Sequence, residues 1–363
     1  MELHSARHIL LCLRYGIGDV VMETPAIEAL RQATQACITA LGASPAIQIL
    51  ENDPRVDELF SIQDFGLGHW ADWGNEQTRG QFQTWLDQKR FDLVVDPSHA
   101  VFGLREIIWE QGGPILDTGS DDQNCLLRLG AFGETALRWS VLKGWGLSIG
   151  PDVSPRIIPT EGEHERADAF LRAAGCDKEF IAVSPVASSV LKQWPLDRVA
   201  EVVDTLVEAT GCSILLITGP ERDGVGKLLQ MIGTRSTIAV ADGLHLKMVA
   251  AILTRAKLLL SNDTGIMHMA SAVGTPLVAV FGPTSSRIYL PTAWNATAVE
   301  SEGNTCPYRN KDVFGPSCCI MAGNCFRGGK PCIEEVDVRA VLKACTRALL
   351  PEHRKIPQRV ITT

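Results

Sequence analysis

Between Lys257 and Thr284 the chain reads KLLLSNDTGIMHMASAVGTPLVAVFGPT, and this run leaves little choice of local fold. Leu258, Leu259 and Leu260 form with Ser261 a short apolar stretch that reads as a buried strand, and Asn262, Asp263, Thr264 and Gly265 make a polar turn after it. Ile266, Met269, Ala270 and Val273 then recur at helical spacing. Gly274, Thr275 and Pro276 stop that helix before a second buried strand, Leu277 to Phe281. The result is one β-α-β unit.

Such a unit puts free backbone N–H groups and the positive end of a helix dipole at the carboxyl end of a strand, where open α/β sheets bind diphosphates and other anions. Asp263 and Thr264 stand at that helix start, either as caps or as part of an anion cradle. His268 falls one helical turn after Thr264, on the same face, where an imidazole can donate to a phosphate. Gly282, Pro283 and Thr284 form a turn after the next strand and should open on the same edge.

The same alternation runs through the rest of the chain. His8 to Leu13 reads as the first strand, and the turn Arg14-Tyr15-Gly16-Ile17-Gly18-Asp19 leads into a helix with Val20, Val21, Ile27 and Leu30 on its apolar face. Pro25 is least disruptive there if regular helix begins near Thr24. A strand at 37–41, a short helix at 45–50, a helix at 81–89 and a strand at 92–96 follow, with 66–80 expected as an acceptor-side loop and His99 as a further acceptor-side residue. Pro151 to Pro159 is the linker candidate. A second series begins beyond it, with strands at 180–184, 213–218 and 237–240 separated by helices. The expected architecture is α/β, two Rossmann-like domains facing across a cleft: residues 1–155, residues 160–335, and a last helix in 336–355 packing back toward the first domain.

Length, 363 residues, suits two or three domains, and a net charge of −8 argues against nucleic acid as a partner while leaving a small anionic ligand open. No apolar run approaches a membrane span and the first residues lack a signal-peptide layout, so a cytoplasmic location is expected, with an acceptor at a membrane surface compatible with it. Of 11 cysteines, most lie singly in apolar runs and read as small buried hydrophobes of a reducing compartment. Cys306, Cys318, Cys319, Cys325 and Cys332 instead cluster.

Three turns add polar groups. Arg14 to Asp19 offers Gly16 and Gly18 without the third glycine of a dinucleotide fingerprint, so its glycines are read as allowing close approach to the backbone and as bringing Asp19 to the mouth of the sheet; a helix cap is the alternative for Asp19. Ser184 to Ser189 leads to Lys192-Gln193-Trp194-Pro195, placing the Ser188 and Ser189 hydroxyls near an ammonium. Gly219-Pro220-Glu221 ends the next strand, and Glu221 has oxygens for a ribose diol. Ammonium, hydroxyls and a helix N-terminus together suit a diphosphate without a metal.

Taken in order, Gly18-Asp19 with Thr24-Pro25-Ala26, Asn52-Asp53-Pro54 with Val56-Asp57, Lys192-x-Trp194-Pro195, Asp263-Thr264-Gly265-x-x-His268 and Gly282-Pro283-Thr284 make the chain resemble glycosyltransferase family 9, the ADP-heptose:lipopolysaccharide heptosyltransferases. The resemblance implies the GT-B fold, an inverting, metal-independent transfer of heptose from ADP-heptose, and no cofactor. It implies Asp19 as general base on an acceptor side that includes Arg14 and Gly18. Lys192 would neutralise the leaving diphosphate, helped by Ser188, Ser189, Thr264, Gly265 and His268. Glu221 would hold the ribose, Asp263 the sugar hydroxyls, and backbone near Leu244 the adenine. The acceptor implied is a lipopolysaccharide core glycan at the inner face of the inner membrane, reached by peripheral association.

Two departures qualify this. The family's Pro-Gly-Ala after the first strand of the second domain reads Ser184-Pro185-Val186-Ala187 here, and stretches 66–80 and 112–150 match no lipopolysaccharide enzyme, which leaves a protein acceptor open. Alternatives of other classes are a nucleotide-sugar epimerase or hydrolase, and a non-catalytic sugar-nucleotide-binding protein. Cys306, Cys319, Cys325 and Cys332 resemble a cysteine-rich segment of relatives and can be drawn as a tetrahedral thiolate set, but the spacing lacks a CxxC pair, and no metal is expected.

Overall fold

The computed structural model describes residues 5–13, 16–66, 75–96, 115–117, 154–219, 223–233, 238–291, 295–301, 306, 308, 318–328, 330–350 and 361–362. It divides into two compact units, Met1–Ile158 and Pro159–Thr363. Among the described residues no helix is long and apolar enough to cross a membrane.

The first unit is built on five parallel strands, β1 (His8–Cys12), β2 (Cys37–Gly42), β3 (Glu58–Ser61), β4 (Leu93–Asp96) and β5 (Ile115–Asp117), in the order β3-β2-β1-β4-β5. Strand order reverses between β1 and β4. That is the topological switch point, where open parallel sheets leave a crevice at their carboxyl ends. Ile9, Leu10 and Leu11 are fully buried, as a strand flanked by neighbours and covered on both faces requires.

Helix α1 (Ile17–Ala33) follows β1 and runs straight through Pro25, so the helix starts well before Thr24, where the sequence suggested. The physical reason lies in one hydroxyl. Proline has no N–H to give the Val21 carbonyl four residues back, and Thr24 Oγ1 donates to that carbonyl instead, at 2.7 Å. The same oxygen accepts from the Arg156 amide at 3.0 Å. Asn52-Asp53-Pro54 also has a structural use: Arg55 forms a buried two-pronged pair with Asp53 at 2.8 and 2.6 Å and reaches the Arg156 carbonyl at 3.0 Å. Helix α2 (Glu76–Lys89) begins earlier than its apolar residues alone suggested, because Asn75 caps it by accepting from Gln77 and Thr78. His99 lies outside the described residues.

The second unit holds seven parallel strands: β6 (Phe180–Ser184), β7 (Ser213–Thr218), β8 (Ile238–Asp242), β9 (Leu258–Asn262), β10 (Leu277–Phe281), β11 (Ala296–Glu300) and β12 (Ile361–Thr362). Their order is β12-β11-β10-β9-β6-β7-β8, with the reversal between β6 and β9. Helix α3 (Glu161–Ala173) leads into β6, and helices α4 (Leu196–Thr210), α5 (Asp223–Met231), α6 (Leu246–Leu253) and α7 (Gly265–Ala272) make the crossovers. β11 and β12 carry no strong sequence signal. Ala296 to Glu300 is short and small-sided, and only its pairing with β10 makes it a strand.

The final helix, α8 (Val338–Leu349), packs on the second unit, where Ala340, Val341, Ala344 and Cys345 join the core formed by β9, β10 and α4. The segment before it is latched there by hydrogen bonds, since Trp194 Nε1 and Arg198 both donate to the Val336 carbonyl, at 3.3 and 2.8 Å.

Asp92 pins β1 to the start of β4 by accepting from the Arg7 and His8 amides at 2.8 and 2.9 Å, and those two N–H groups hold its carboxyl below the usual range. A folded-state pKa below the unfolded value gives stability that is present above the unfolded value, about 3.9, and is lost as pH falls through the folded one. Asp92→Asn should therefore lower the urea midpoint at pH 7 and flatten its decline below about pH 4. Urea denaturation across that range checks this, and an unchanged acid slope contradicts it.

Candidate functional site

The carboxyl edge of the second sheet gathers the turns that follow β6, β9 and β10. Asp263, 5% exposed, sits just past β9. Its carboxylate lies 2.7 Å from Lys192 Nζ and accepts from Thr284 Oγ1 at 2.7 Å. One side chain thus joins three turns. Both contacts fall on Asp263 Oδ2, and Thr264 makes no side-chain cap bond, so the helix that opens at Gly265 has no side-chain cap at its N-cap position.

Thr264 is half-buried, with its hydroxyl 3.3 Å from Ser261 Oγ, and His268 is buried on α7 one turn further on. Ser188 is exposed, and Ser189 Oγ accepts from the Leu191 amide at 3.4 Å, starting the single turn that ends on Lys192. Leu244 is half-buried between β8 and α6. Arg14 and Glu221 lie outside the described residues.

Sequence reasoning missed the residue that ties this edge together. Asn262, 3% exposed at the end of β9, donates from Nδ2 to the Pro185 carbonyl at 2.9 Å and accepts at Oδ1 from the Trp194 amide at 3.0 Å. No motif marks it; only the pairing of β9 with β6 puts both ends of the connection from β6 to α4 within its reach.

In the first unit the matching edge is acidic. Asp19 lies in the first turn of α1, and a Cβ on Gly16 would sit 2.2 Å from its Oδ2. A side chain at Gly16 would therefore push the end of the Asp19 carboxylate out of its present position. Glu23, fully buried, follows one turn later on the same face of α1. The buried Cys12 thiol at the end of β1 is pushed well above its ordinary pKa by burial and then by the carboxylates of Asp96 and Glu23, which places both near the switch point.

The fold and these turns meet their counterparts in known proteins. Residues 151–315 match the family model described as glycosyltransferase family 9 (heptosyltransferase). Lipopolysaccharide heptosyltransferase 3 of Escherichia coli is 29% identical over 312 residues, 77% of this chain and 84% of that protein. Across most of its length the chain is thus similar to the heptosyltransferases of glycosyltransferase family 9. Among solved structures, the family 9 glycosyl transferase of Veillonella parvula DSM 2008 superposes with a TM-score of 0.77 at 22% identity, covering 96% of this chain and 98% of that one. The E. coli ADP-heptose lps heptosyltransferase II gives 0.71 at 19% identity, covering 95% and 99%. The chain is therefore a glycosyltransferase of GT-B type with two Rossmann-like domains.

In this glycosyltransferase the clustered cysteines border the same edge. Cys306, Cys319, Cys325 and Cys332 line one small cavity together with Leu191 and Pro283, the neighbours of Lys192 and Thr284. His8, Cys37 and Glu58, whose ligand-type atoms lie within 4.8 Å of one another, stand at the amino-terminal edge of the first sheet. There Lys89 Nζ lies 2.6 and 2.7 Å from the two Glu58 oxygens, so the carboxylate already has its cation.

Packing beneath the edge is tight at Gly282, where a Cβ would approach Ile333 Cβ to 2.7 Å and the Leu191 carbonyl to 3.2 Å. Gly282→Ala should destabilise the chain by about 1–3 kcal/mol through overpacking. Denaturation midpoints of the two proteins measure this, and equal stability would show that Ile333 yields at no cost.

Proposed function

We propose that this glycosyltransferase moves a heptose from ADP-heptose to a lipopolysaccharide core glycan, with inversion at the anomeric carbon. The observation that carries the reading is the Lys192 ammonium held beside a helix start that has no side-chain cap, at the carboxyl ends of β6, β9 and β10. That arrangement suits a diphosphate. The names of the relatives, lipopolysaccharide heptosyltransferase and ADP-heptose lps heptosyltransferase, support ADP-heptose as the sugar nucleotide in this reading.

In this reading Asp19 takes the proton of the acceptor hydroxyl as its oxygen bonds to the anomeric carbon. The bond from that carbon to the β-phosphate oxygen breaks on the opposite face, and ADP leaves with the electron pair. Charge growing on the departing diphosphate is met by Lys192, by the backbone N–H groups at Gly265 and by His268. Asp263, anchored by Thr284, keeps an acceptor oxygen for sugar hydroxyls. Ser188, Ser189 and Thr264 add hydroxyls along the phosphates, Glu221 takes the ribose, and backbone near Leu244 meets the adenine. Arg14 and Gly18 lie on the acceptor side.

Purified protein incubated with ADP-heptose and truncated lipopolysaccharide cores should release ADP and yield a product of inverted anomeric configuration. Asp19→Ala should lower transfer by about 10²–10⁴-fold, the usual worth of a general base, while ADP affinity stays within about threefold. Retained transfer in that variant overturns the assignment of the base. Calorimetry with ADP, UDP and GDP tests the donor separately, and tighter binding of UDP overturns the ADP-heptose reading.

A further inference from the structure

The switch point of the second sheet is bridged by a single buried amide. Asn262 closes β9, and the two strands on either side of the reversal, β6 and β9, each release a loop at its level. Its Nδ2 donates to the Pro185 carbonyl in the loop that carries Ser188 and Ser189, and its Oδ1 accepts from the Trp194 amide two residues after Lys192. Pro185, Trp194, Ser184, Ser261 and Asn262 line a small cavity at this point, so the two loops approach each other there without filling the space between them.

We propose that Asn262 is a positioning residue for the donor site: it sets the Lys192 turn and the Ser184–Ser189 loop against the start of α7, and acts on the nucleotide sugar only through them. The inference rests on the reading of this edge as a diphosphate site. The chemistry requires an amide. One partner is a backbone donor and the other a backbone acceptor, both in buried residues, and only a side chain with both functions satisfies them together. An aspartate would turn an acceptor toward the Pro185 carbonyl, and a leucine of similar volume would leave both backbone groups without a partner. Asn262 makes neither of the contacts by which Lys192 is held on its other side, to Asp263. Its loss therefore loosens the turn at Trp194 while the ion pair stays possible.

The test is a double-mutant cycle read by calorimetric binding of ADP to the full chain: wild type, Asn262→Ala, Lys192→Ala and the pair together. Val203→Ala, a fully buried α4 residue remote from the edge, serves as a destabilised control. Asn262→Ala should weaken ADP binding about tenfold, about 1.4 kcal/mol. In the Lys192→Ala background the same change should cost less than about threefold, because the residue it acts through is gone. Val203→Ala should lower the melting temperature and leave ADP affinity within about twofold. Should Asn262→Ala not fold, Asn262→Ser takes its place in the cycle. Wild-type protein that binds no nucleoside diphosphate overturns the functional reading itself. Wild type that binds while Asn262→Ala matches it, or an undiminished tenfold loss in the Lys192→Ala background, overturns the positioning role alone.

Discussion

Asp263 is a carboxylate in a place that water hardly reaches, and a group like that must find its partners within the fold. Here they come from two different turns, an ammonium after β6 and a hydroxyl after β10. Satisfying one buried side chain therefore fixes the relative position of three strand ends. Breaking either contact would strand the carboxylate, which costs more than the pair itself is worth, so the arrangement is held by what its loss would leave behind. The neighbouring Asn262 does the same for two backbone groups of the connection after β6, at its start and its end. Two consecutive residues thus organise the whole edge.

The first unit solves a different problem at its own strand ends. Its helix has to start close enough to β1 to bring Asp19 to the sheet edge, yet it carries a proline in its middle. Gly16 provides the room at the start, and Thr24 supplies the hydrogen bond that Pro25 cannot. Arg55, paired with Asp53, and the Arg156 amide then fasten the middle of α1 to the segments before β3 and after the sheet. A motif that reads in sequence as a family signature is, in the folded chain, the fastening of the helix that bears the acidic edge.

Much of this was legible beforehand, for reasons that differ by element. β9, α7 and β10 announce themselves because a leucine run, a helical period and a proline stop agree with one another. Lys192, Asp263 and Thr264 could be named because strand-end turns in parallel sheets converge on one edge. Their contacts could not. Nothing in the sequence says that Asp263 would turn to Lys192 rather than cap its helix, since both choices satisfy the same residue type. β11 was missed because its alanines and lone valine carry weak strand preference, and the core partners of α8 could not be read because an amphipathic helix records that one face is buried but not against what. The bond from Trp194 to Val336, across more than a hundred residues, decides that placement.

The Lys192–Asp263 pair also bears on how such an edge can wait for an anion. A lysine with only solvent for company would be free to sample many rotamers, and binding would have to order it at a cost. Paired with a carboxylate that is itself fixed by Thr284, the ammonium is already in place and already partly removed from water. An arriving diphosphate then shares a cation whose desolvation was met on folding, and Asp263 still retains its hydroxyl partner when part of the ammonium's attention is withdrawn. Preorganisation of this kind also limits affinity, because the carboxylate competes with the phosphates for one charge. On the proposed reading, in which a nucleoside diphosphate must leave after each turnover, that competition favours release.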